Sequence, residues 1–221
     1  MRALGQPEVI KTAATAALCT SVACYPRLAL APQLHYPIWY LEALVFLGST
    51  VLWAFVFAWH TKYTARPVFM FTLPRGPWIL ATTLGIVTAV LLQLFLDPAL
   101  RIRTPEDYPV NVPQWMAVTL FSLGFTQLFL VFAPFAWLLR LFRRVDAAVV
   151  LTVLFGLFVF AFKNRAAPTA IPPLMLVELL VFRVAAGFLS VYFFLRGGVL
   201  LVWWWALLIH GRHLIHLAFG A

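Results

Sequence analysis

The chain has 221 residues and a formal charge of +9, yet only 10% of its residues are charged and 64% are hydrophobic. A soluble domain carries about 25% charged residues, so a water-facing globule is excluded, and a mean hydropathy of +0.96 points to apolar runs of membrane-spanning length. Backbone groups in lipid must be satisfied within each segment and no alternating ten-residue strands occur, so the expected fold is all-α: a polytopic transmembrane helix bundle of about six spans, possibly seven.

The basic excess does not indicate a nucleic-acid partner. Lysines and arginines are spread over short loops, where anionic lipid and the positive-inside bias account for them. Residues 1–36 hold a moderately apolar stretch, TAATAALCTSVACY, that is short for a span. Tyr25-Pro26-Arg27 follow it where a signal peptide would carry small cleavage-site residues. An interfacial helix is the preferred reading and an extra span the second. Cys19 and Cys24 lie in this segment without a metal or disulfide motif.

Residues 37–114 contain two predicted spans, about Pro37–Trp59 and Trp78–Leu96, with Glu42 near one end of the first. A polar loop with Asp97, Arg101, Arg103, Glu106 and Asp107 follows. Residues 115–221 hold four more, at about Trp115–Leu139, Ala147–Phe162, Leu174–Leu195 and Val199–Phe219. Only Arg196-Gly197-Gly198 separates the last two, so they must be antiparallel neighbours. With residues 1–36 outside the bilayer, loop lysines and arginines divide evenly between the two sides. The RLFRR cluster at 140–144 then favours its own side as cytoplasmic.

Ionisable residues within spans cost about 2.5–3.5 kcal/mol each at a helix centre, so they mark the candidate sites. They are Glu42, Glu178, Arg183, His210, Arg212, His213 and His216. Glu178 and Arg183 stand five residues apart, about 140° around the helix, and should each meet a partner on a neighbouring helix. His210, His213 and His216 fall within an arc of about 120°. Histidines of one helix do not close a tetrahedral zinc site alone, so no metal is expected. Glu178 is the best external partner for them, and Arg212 is expected to snorkel to the interface. Trp203, Trp204 and Trp205 fit packing and the interfacial aromatic belt; with Phe193 and Phe194 they could instead flank a flat ligand.

The C-terminal half, about 115–221, resembles the four-helix core of the CPBP (Abi) family, which includes CaaX prenyl-protein endopeptidases. GFTQLFLVFAPFAWLLRLFRR has the shape of that family's EExxxR helix with its basic end, and LTVLFGLFVFAF that of its FxxxH helix. FLSVYFFLRGGVLLVWWWALLIHGRHLIHL follows the last two helices, placing Trp204 and His210 on the family's tryptophan and histidine. In this register the glutamates fall on Thr126 and Gln127, the arginine on Val131, the second histidine on Val159 and the final Asn/Asp on Leu214. A glutamine cannot take a proton from water at neutral pH, so the resemblance implies a protease scaffold that has lost its base. A rival register sets VELLVFR on EExxxR, keeping Glu178 and Arg183 and bringing His213 near the second motif.

The expected function is therefore non-catalytic: a scaffold, assembly factor or accessory subunit of a larger membrane complex, in contact with lipid and other integral membrane subunits and sited in a bacterial inner membrane. Two alternatives stand beside it. One is an active CPBP-type intramembrane protease using Glu178, Arg183, His210 and His213. The other is a cofactor-binding subunit of a photosynthetic or respiratory complex, in which His210 or His213 would ligate a tetrapyrrole or hydrogen-bond a quinone.

Overall fold

The computed structural model describes residues 4–30, 36–72, 75–105, 108–165 and 172–219. Arg2, Glu106 and Asp107, counted above among loop charges, lie outside the described residues, as does most of the loop closing the fourth predicted span. Helices follow one another in the order α1 (Pro7–Ala29), α2 (Ile38–Thr64), α3 (Arg75–Arg103), α4 (Val112–Phe142), α5 (Val145–Arg165) and α6 (Pro173–Phe219). Among the described residues there is no strand, and α2 to α6 are each long and apolar enough to cross a membrane. The chain is a multi-pass, all-α bundle.

Helix α6 is two antiparallel limbs, residues 173–197 and 199–219. Gly198 reverses the chain with φ 66° and ψ −162°, a region open essentially to glycine alone. Phe193 and Trp205 show the reversal: their ring centroids are 5.7 Å apart, where a straight helix would separate twelve residues by about 18 Å. The loop after α2 straps the turn. Val199 N–H donates to Val68 O at 3.0 Å, Phe69 bridges to Gly198, and Arg66 Nη1 donates to Leu195 O.

Helix α1 stands in the bundle alongside α2 and antiparallel to it. Ser21 Oγ donates to Glu42 Oε1 at 2.7 Å near one end, while α1 also touches Val56–His60 toward the other end of α2. Its buried face is a stripe of small residues, Ala13, Ala17, Thr20, Ser21 and Cys24. Lipid tails are as apolar as leucine, so helices in a bilayer associate by close packing, and small residues let the backbones approach. The Trp53 indole N–H, donating to Thr20 Oγ1 at 2.9 Å, adds a polar tie.

This placement changes the charge count. Lys11 now shares an end of the bundle with Lys62, Arg66, Arg75, Arg140, Arg143, Arg144 and Arg196; the other end has Arg27, Arg101, Arg103, Lys163 and Arg165. Eight cations stand against five among the described residues.

Three of the spans contain π-helical turns: Val56–His60 in α2, Leu92–Leu96 in α3, and Ser122–Thr126 with Leu128–Phe132 in α4. Pro98 and Pro134 follow two of them closely. Proline offers no N–H and crowds the carbonyl four residues back, so the preceding turn widens instead. One buried core joins all three stretches separated in the sequence, from Ala13 and Ala17 through Trp53 and Val56 to Phe132, Phe194 and Trp205.

Candidate functional site

The polar centre of the bundle lies where α3, the loop after it and the second limb of α6 meet. Asp97, 2% exposed, accepts from Arg212 Nε at 2.9 Å through Oδ2, and Arg212 Nη2 reaches Oδ1 at 3.4 Å. Tyr108 OH donates to the same Oδ1 at 2.9 Å. The remaining guanidinium nitrogen, Nη1, donates to Ile209 O at 2.8 Å. A carboxylate with three charge-assisted or phenolic donors is well satisfied, and such pairs hold only when their hydrogen bonds are complete. The expectation that Arg212 snorkels to the interface is thus replaced by a buried ion pair.

The histidines pack around this pair. Tyr108 meets the His213 ring edge-on at 5.3 Å, and His210 and His213 lie 6.2 Å apart between centroids. The Trp115 indole donates to His210 O at 2.9 Å. The Nδ1 atoms of both histidines are buried without a hydrogen-bond partner among the described residues. Arg101 lies over the Tyr108 ring at 5.0 Å. Among the described residues no group of three histidine, cysteine or acidic side chains could hold a metal ion.

Burial pushes the Tyr108 phenol above its ordinary value, and the Asp97 carboxylate adds to the push; Arg212 and Arg101 oppose it. In the unfolded chain the phenol titrates near about 10. Its raised folded value means that the stability it contributes is complete below that pH and is lost as pH rises beyond it. Tyr108→Phe should therefore cost about 1–2 kcal/mol at neutral pH, through the donor lost by a buried carboxylate. The gap to wild type should shrink above pH ~10. Thermal unfolding of both proteins across that range checks it; a gap that widens with pH would reject this role for the phenol.

Glu178 and Arg183 are elsewhere. Both are exposed on the outer surface of the first limb of α6. Arg183 lies over the Phe160 ring at 5.1 Å. Glu178 makes no hydrogen bond or ion pair among the described residues, and lines a groove with α3 in which neither His210 nor His213 takes part. The structure thus joins His210, His213 and Arg212 but not Glu178.

The register built on Gln127 fares no better as a catalytic centre. Trp115, which holds the His210 carbonyl, is separated from Gln127 by about 18 Å of α4. A catalytic acid and its histidine need hydrogen-bond reach, directly or through one water. Trp204 is a packing residue here, stacked on Trp78 at 5.6 Å with its N–H donating to Thr82 Oγ1 at 2.9 Å.

Two buried ionisable residues, Asp97 and His60, lie outside the span candidates that the sequence offers. Asp97 stands in the predicted polar loop, whereas the structure continues α3 through it to Arg103. His60 comes directly after Trp59, where the first predicted span ends; it is fully buried, with its ring 4.3 Å from that of Phe194. No protein-family model, curated protein or solved structure matches the chain.

Proposed function

We propose that the chain is a non-catalytic accessory or scaffold subunit of a larger membrane complex, built around a CPBP-like C-terminal core without a working protease site. The outward placement of Glu178 carries this reading. The first limb, 25 residues from 173 to 197, is about 37 Å long against a hydrocarbon thickness of about 30 Å. Glu178, five residues from its start, lies about 7.5 Å along it, inside the hydrocarbon near one edge. Ionisable groups at such depth face protein or a water-filled cavity, because hydrocarbon solvates neither charge. Glu178 faces out of the bundle, so a neighbouring subunit is its natural surrounding. The separation of Glu178 from the histidines supports the same reading by removing the base that a protease needs.

The end of the bundle with eight cations faces the cytoplasm in this proposal, following the positive-inside bias. A bacterial inner membrane is the setting proposed.

Purification from native membranes in mild detergent tests the proposal. The protein should migrate in an assembly well above its own 24.9 kDa and leave membrane-peptide substrates intact. Peptide cleavage that disappears in Glu178→Gln would overturn it, as would a homogeneous monomer that retains no other protein.

A further inference from the structure

The face of the bundle most in need of a partner is the groove between α3 and the first limb of α6. Its volume is about 480 Å³ and Trp205 lies among its lining residues. The walls are apolar, with Leu92 and Leu96 on α3 and Val181 and Phe182 on α6; Thr88, Ala185 and Ala186 are the small residues. Among the described residues, Glu178 is the one charged side chain lining it.

We propose that this groove receives a transmembrane helix of a partner subunit, and that the helix presents a lysine or arginine to Glu178. The inference rests on the accessory-subunit reading and names the chemistry of the neighbour. Three observations lead to it. The groove volume holds a ridge of a few aliphatic side chains, as a packed helix would supply, and the small residues allow a second backbone close approach. Glu178, five residues into a limb of 25, lies about 7.5 Å from its start, inside or at the edge of hydrocarbon, where an unpaired carboxylate is costly. A lipid chain would fill the apolar part but leave that carboxylate unpaired, and the phosphate of an anionic lipid would be repelled by it. A cation at fixed depth on a rigid helix answers both the shape and the charge.

The test uses the full chain in nanodiscs with a photoreactive phenylalanine analogue at Val181, which lines the groove and is 64% exposed. The probe is a synthetic leucine–alanine helix of about 20 residues carrying one lysine near the end that lies beside Glu178. A second probe has leucine in place of the lysine. The lysine helix should give about tenfold more covalent adduct, a preference of about 1.4 kcal/mol. Glu178→Gln should reduce its yield to that of the leucine helix. Ala185→Trp, at an exposed position of the groove, should abolish adducts with both.

Equal yields from the two probes, indifference to Glu178→Gln, or adducts to lipid alone would each overturn the proposal. Ala185→Trp in native membranes separates this inference from the broader one. If the native assembly survives that substitution, the groove is not the docking face, while the subunit reading stands.

Discussion

Replacing Gly198 by alanine is expected to cost more than about 3 kcal/mol and to lower the melting temperature in detergent by roughly 6–12 °C. Two effects add. The backbone at φ 66°, ψ −162° lies in a region that residues with a Cβ scarcely enter. A Cβ at this position would also stand 2.4 Å from Val68 O, so the strap that bonds Val199 must give way. The control is Gly211→Ala in the same helix, where nothing lies within 4 Å of the added atom. It should be neutral or stabilising by up to about 1 kcal/mol. Similar melting of the two variants would show that the reversal does not depend on glycine.

Neutralising Asp97 should be as damaging. Asp97→Asn leaves Arg212, 12% exposed at its side chain, as a largely buried charge without its counter-ion, and breaking one partner of a buried pair costs about 3–5 kcal/mol. Combining Asp97→Leu with Arg212→Met removes both charges and should recover most of the loss, since apolar replacements of a buried pair are often neutral. The readout is a double-mutant cycle on unfolding stability. Additive losses from the two sites would mean that the pair is not coupled, contrary to the geometry.

The contrast between these two features shows what could be read in the sequence. Gly198 stood out because two glycines between long apolar runs leave room only for a tight reversal. The spans themselves were visible because hydropathy is an average over a window. That same averaging hid Asp97 and His60. Each lies just past the point where an apolar run falters, yet the helix continues, and the partner that justifies Asp97 is 115 residues away. Helix α1 was obscured for a related reason: its buried face is made of small residues, which score weakly as apolar although they pack best in lipid. The candidate site was only partly legible. His210, His213 and Arg212 do gather around one polar centre, but the sequence paired them with Glu178. Helical geometry sets the angle between Glu178 and Arg183; which way either faces depends on packing that periodicity does not specify.

The π-helical turns bear on what kinds of change this bundle tolerates. Such a turn is an α-helix with one residue too many, taken up locally. Removing a single residue from Leu92–Leu96 would restore regular winding and leave the residues after it facing as before, whereas removing one from a regular turn would rotate everything after it by about 100°. Asp97 follows the π turn directly, so it is a deletion in the regular turns before Leu92 that would swing its carboxylate away from Arg212 without altering either residue. The same argument holds for His60, which closes the turn in α2. The π turns are therefore where one residue can be lost at least cost, and in the regular turns spacing, more than residue identity, is what this fold must preserve.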